Sequence, residues 1–107
     1  MTSEQTKLLS KIKKLIKSGH KKFVNRKDKD YVKELAKIGI DEETAWQEVL
    51  GLSSYNYIPD MKPFYFGTGA LTFKKCINGY LVYIKLKIEV YVNNEMAVCL
   101  SFHIDNM

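Results

Sequence analysis

The stretch LVYIKLKIEVYV, residues 81–92, decides how this chain is read. Val82, Ile84, Leu86, Ile88, Val90 and Val92 share one parity; Leu81, Tyr83, Lys85, Lys87, Glu89 and Tyr91 share the other. A two-residue period in hydrophobicity marks a strand with one face on a core and one face open. The open face carries tyrosine and lysine, on a chain whose formal net charge is +5. Such a face is suited to phosphate groups.

The neighbouring segments read as partners of this strand. Asn78-Gly79 is a two-residue hairpin signal, because both residues tolerate positive φ. It sets Ile77 against Tyr80, Phe73 against Ile84 and Leu71 against Leu86. On the open face it sets Lys74 against Tyr83 and Thr72 against Lys85. After the strand, a two-residue loop at Asn93-Asn94 would oppose polar to apolar positions throughout. A longer loop, Asn93-Asn94-Glu95, avoids that conflict. It predicts Val90 against Val98, Ile88 against Leu100, Leu86 against Phe102, Lys87 against Ser101 and Lys85 against His103. Cys76 and Cys99 then lie too far apart for a disulfide.

The first half reads as helices. Leu8, Leu9, Ile12, Leu15 and Ile16 recur at helical spacing, and Ser18-Gly19 ends that run. The connector HKKFVNRK is basic, with Phe23 and Val24 turned to the core. Asp28 is read as the cap of a second helix, with Asp30 supporting it, and Tyr31, Val32, Leu35 and Ile38 facing inward. Gly39 ends it. Asp41 caps a third helix that buries Ala45, Trp46, Val49 and Leu50 and closes at Gly51. SSYNYIPDMKP reads as a loop, interrupted by Pro59 and Pro63. The expected fold is therefore α+β: about three N-terminal helices on one face of a C-terminal antiparallel sheet, as a single domain over 1–107.

Composition narrows the function. An apolar share of 46% is enough for a core without staples. No apolar run approaches the ~18 residues of a membrane span. MTSEQTKLLSKIKK has neither the apolar region nor the cleavage site of a secretory signal. The cysteines and histidines lack metal-ligand spacing, so no metal or cofactor is expected, and a cytoplasmic location with reduced thiols is. Residues 1–38 hold twelve Lys/Arg against four Asp/Glu, and residues 39–107 five against eight. That asymmetry points to a polyanion, or an acidic protein, as partner.

The predicted registers gather Lys74, Tyr83, Lys85 and His103 on one patch, with Thr72, Lys87 and Ser101 around it as substrate contacts. These groups suit RNA cleavage by the substrate's own 2′-OH. Histidine serves as base or acid, tyrosine donates a proton or stacks on a base, and lysines hold the phosphate. No carboxylate cluster stands on this face for a two-metal mechanism. The same residue types also occur on any solvated sheet face, where tyrosine packs across strands and lysine confers solubility.

Residues 7 to 104 resemble the motility quorum-sensing regulator (MqsR) family of toxins, which have a RelE-like RNase fold. IKKLIKSG, ELAKIGI, VLGLSSYNY, GYLVYIKLKI and AVCLSFH carry the resemblance, in that order. It implies the toxin of a type II toxin–antitoxin system, an endoribonuclease that cleaves mRNA without a metal, and a cognate antitoxin protein. It matches Tyr83 and Lys85 to the family's tyrosine and the lysine after it, and His103 to the basic residue of the last strand. A family lysine after the LS motif is missing here, where Tyr57-Ile58-Pro59 stands; Lys62 is the nearby substitute. The family's glutamine has Lys74 as its nearest positional match. The alternative is a non-catalytic RNA- or protein-binding module of the same fold.

Overall fold

A computed structural model describes residues 1–25, 30–59 and 69–105. Helix α1 spans Ser3–Lys17 and starts in a capping box. Thr2 Oγ1 accepts from the Gln5 N–H, and Gln5 Oε1 accepts from the Thr2 N–H. Two donors left over at the helix start are thereby satisfied reciprocally. Its apolar stripe buries Leu9, Ile12 and Ile16, and Leu8 and Leu15 pack beside them. Helix α2, Tyr31–Ile38, is capped by Asp30, whose Oδ1 accepts from the Val32 N–H at 3.0 Å. Asp30 thus has the role expected of Asp28, which lies outside the described residues. Helix α3, Glu42–Leu50, is capped by Asp41, which accepts from the Thr44 N–H at 2.7 Å. Hydrogen bonds from Thr44, first from its side chain and then from its backbone N–H, hold the Asp41 carboxyl below the usual range.

The inward set of α2 differs from expectation at one position. Val32 is 57% exposed, while Glu34 is buried with Leu35 and Ile38. The carboxylate goes inside because it has partners there. Glu34 Oε1 accepts from the Ile104 N–H at 3.1 Å, and Oε2 pairs with Lys37 at 3.2 Å. A buried acid with both oxygens engaged costs far less than an unpaired one.

The strands are β1 (Lys21–Phe23), β2 (Tyr57–Ile58), β3 (Leu71–Ile77), β4 (Tyr80–Tyr91) and β5 (Asn94–Ile104). They form one five-stranded sheet in the order β1-β5-β4-β3-β2. The sheet is mixed rather than wholly antiparallel, because β1 runs parallel to β5. The connector after α1 thus becomes an edge strand. Phe23 holds it there, stacked on Tyr31 (centroids 4.7 Å) and tilted on Trp46 (4.5 Å). Part of the expected loop after α3 is also ordered, as a short 3-10 turn at Ser54–Asn56 followed by β2. One contiguous core lies between the helices and the sheet. It takes Trp46 and Val49 from α3, Phe73 from β3, Ile84 and Leu86 from β4, and Phe102 from β5.

The β3–β4 register is as the Asn78-Gly79 turn predicts at every pair from Ile77↔Tyr80 to Leu71↔Leu86. The β4–β5 register differs. The turn is Val92-Asn93, with φ of 45° and 67°, so Tyr91 pairs with Asn94 rather than with Ala97 as the longer loop would have it. Val90 then meets Glu95, Ile88 meets Ala97, Lys87 meets Val98 and Leu86 meets Cys99. A bulge between Lys85 and Leu86 follows, opposite Leu100, after which Lys85 meets Ser101 and Tyr83 meets His103. The bulge resolves the conflict that had argued for the longer loop. One extra residue on β5 lets each end of the hairpin keep its own parity. The tip overhangs the core, so Val90 and Val92 are 67% and 93% exposed despite their place in the alternation.

Candidate functional site

The helices cover one face of the sheet, and the other carries the site. Leu71, Phe73, Val82, Ile84 and Leu86 belong to the core cluster, so the residues between them point away from it. Across β3, β4 and β5 these residues form successive rows. Cys76 and Leu81 lead to Asp105 just past β5, where the Asp105 N–H donates to the Leu81 carbonyl at 2.8 Å. Next come Lys74, Tyr83 and His103. Then come Thr72, Lys85 and Ser101. Beyond the bulge Lys87 lies beside Val98, which pairs on its far side with Lys22 of β1.

The centre of the face is a ring pair. Tyr83 and His103 stack with centroids 5.1 Å apart and planes at 21°. The expected Lys85–His103 opposition is replaced by this meeting of the two side chains expected to handle protons. Nδ1 of His103 lies 3.0 Å from the Ile104 carbonyl. A carbonyl only accepts, so Nδ1 carries the hydrogen and the neutral ring keeps its lone pair on Nε2. Glu34 holds the next peptide N–H from the helical side, so the backbone that presents His103 is pinned at residue 104.

The expected cations fare differently. Lys74 is in the central row, but its Nζ is 2.7 Å from Asp105 Oδ2, with the side chains 31% and 12% exposed. Asp105 went unremarked in the sequence, yet its signal was available: it stands two residues beyond His103 and so shares its face. Lys85 is half-buried between Thr72 and Ser101, and Lys87 lies one row further on. Neither has a carboxylate partner among the described residues. Ser101 is buried beside Lys85 rather than beside Lys87. Lys62 lies outside the described residues. Lys75 turns to the helical side, where its Nζ binds the carboxylate and the main-chain carbonyl of Glu48.

Elsewhere, a groove of about 610 Å³ lies between α1, β1 and α3 and is lined in part by Trp46, Lys17, Lys21 and Glu43. None of the candidate site residues among the described residues lines it. Among the described residues, no three His, Cys, Asp or Glu side chains gather as a metal site, and no helix is long and apolar enough to cross a membrane. No family model, curated protein or solved structure matches the chain.

Proposed function

We propose that the open sheet face belongs to a metal-independent endoribonuclease, the toxin of a type II toxin–antitoxin system, as the resemblance to the MqsR family implies. The observation that carries this reading is the Tyr83–His103 ring pair at 5.1 Å with Lys85 in the adjoining row. Nε2 of His103 takes the proton of the ribose 2′-OH. The 2′-oxygen bonds to phosphorus, the bond from phosphorus to the 5′-oxygen breaks, and the Tyr83 hydroxyl supplies the proton that the leaving oxygen needs. The product ends in a 2′,3′-cyclic phosphate. Lys85 holds the phosphate as its charge grows. Lys74, already committed to Asp105, braces the site more than it binds phosphate. The natural setting is the cytoplasm, with mRNA as substrate and a cognate antitoxin as partner.

The Lys74–Asp105 pair also favours a second reading, a non-catalytic RNA-binding module, because among the described residues it leaves Lys85 as the unpaired cation nearest the rings. Cleavage of RNA in EDTA by the wild-type protein and by Tyr83→Phe and His103→Ala separates the two. Loss of cleavage in both variants, with folding intact, supports the enzyme. Binding without cleavage by the wild type supports the module, and full activity in both variants removes the ring pair from the chemistry.

A further inference from the structure

Past the ring pair, the lysines without a carboxylate partner among the described residues of the open face lie on one side only. Lys85 and Lys87 follow Tyr83 along β4. At a rise of ~3.3 Å per residue Lys87 is about 13 Å beyond Tyr83. Lys87, Val98 and Lys22 then form one row across β4, β5 and β1. At ~4.8 Å per strand Lys22 is about 10 Å to the side. Val98, between the two lysines in that row, is fully buried although it is outside the core cluster. Lys22 Nζ sits 4.4 Å over the Tyr91 ring, which holds the ammonium on this face at the sheet edge.

Two carboxylates bound the path. Asp105, tied to Lys74, closes the face on the far side of the ring pair. Glu89 follows Lys87 along β4 and is engaged by the Tyr91 hydroxyl. The Lys22 ammonium lies over the same Tyr91 ring, so a polyanion that passes Lys87 meets both charges there and is drawn off Glu89 toward Lys22 and β1.

We infer that the substrate is a single strand of RNA held asymmetrically. The reacting nucleotide sits at the Tyr83–His103 end, and the rest of the footprint runs through Lys85 and Lys87 to leave over β1 at Lys22. This rests on the endoribonuclease reading for the location of the reacting nucleotide. A single strand fits because attack by a 2′-OH in line with the leaving oxygen needs a nucleotide splayed out of helical stacking. Stacking of a base on the half-buried ring pair needs the same. The footprint is on the order of four nucleotides, at the low end of the site sizes of single-strand-binding folds.

The test is fluorescence anisotropy with a non-cleavable 2′-O-methyl hexanucleotide and the matching dinucleotide, across a salt series. Lys22→Ala and Lys87→Ala are expected to lower the hexamer-to-dinucleotide affinity ratio severalfold. Each should flatten the salt slope for the hexamer by about 0.7, the share of one phosphate contact on a single strand. Lys22→Arg restores both. Lys33→Ala, on an exposed position of α2, changes neither. Lys22 is exposed on an edge strand, so a thermal melt unchanged from the wild type confirms that its loss acts on binding. Hexamer binding that ignores Lys22 and Lys87, in a protein that cleaves RNA, overturns the asymmetric path and leaves the enzyme reading standing. Lys22-dependent hexamer binding in a protein that never cleaves keeps the path and overturns the enzyme. No binding of either oligonucleotide overturns the path.

Discussion

Replacing Val92 by asparagine is expected to stabilise the protein, and the sign of that effect reports the register of the site. Val92 and Asn93 form the β4–β5 turn with φ of 45° and 67°. The left-handed region costs an ordinary residue about 1–2 kcal/mol, because Cβ crowds the following carbonyl. A β-branched valine has little room to relieve this. Its side chain is 93% exposed, so substitution forfeits almost no burial. Asparagine accepts the left-handed region, and a gain of about 1 kcal/mol follows. For a domain of this size that is a rise of roughly 4–8 °C in Tm. Val92→Gly removes the strain more fully but returns about 0.5–1 kcal/mol to the unfolded chain as entropy, so its gain is smaller. Thermal and urea melts of the three proteins measure this. In the rival longer loop, Val92 is a strand residue paired with Met96, where asparagine and glycine both destabilise. A loss of stability in both variants would refute the two-residue turn, and with it the opposition of Tyr83 to His103.

Two further outcomes test the surroundings of the site. Glu34→Ala is expected to cost about 1–3 kcal/mol in urea unfolding, since the Ile104 N–H loses its acceptor. Glu34→Gln keeps an acceptor oxygen and sacrifices only the pairing with the exposed Lys37, worth at most about 1 kcal/mol, so equal losses would show that charge rather than the hydrogen bond matters. A thiol reagent should titrate Cys76 in the folded protein and Cys99 only on unfolding, because burial pushes the Cys99 thiol up and denies the reagent access. Rapid reaction of both thiols in the native state would contradict the placement of β5.

What the sequence made legible follows from how local the signal is. Asn78-Gly79 determines its own turn conformation, so the whole β3–β4 register could be counted outward from it. Gly39 was equally local: its φ of 89° is the left-handed stop expected at the end of α2. The second hairpin offered no such signal. Valine is among the residues least expected at positive φ, so the turn at Val92-Asn93 was hidden behind a run that alternates through it. The strand β1 was hidden for a different reason. KKF is too short to show a period, and its place beside β5 is fixed by Phe23 meeting Tyr31 and Trp46, contacts made with α2 and α3. The burial of Glu34 was likewise invisible, since its partner is a backbone N–H seventy positions away.

The bulge at Leu100 is what makes the site coherent. Continued without it, the pairing that starts at Tyr91↔Asn94 would set Tyr83 against Phe102 and turn His103 to the helical side, into an apolar core. The extra residue reverses the parity of the last four residues of β5. That sends Phe102 inward and His103 outward, and a re-aimed side chain is a recurrent use of a bulge. The same reversal puts Asp105 on the open face, where it reaches across β4 to Lys74. One inserted residue thus places the imidazole and also neutralises one of the cations that would compete for the phosphate. The result, among the described residues, is a gradient along β4: a closed ion pair on one side of the rings and two lysines without a carboxylate partner on the other. A phosphate arriving at the ring pair is drawn toward Lys85 and away from Asp105. For the proposed reaction, that direction matters more than the number of positive charges on the face.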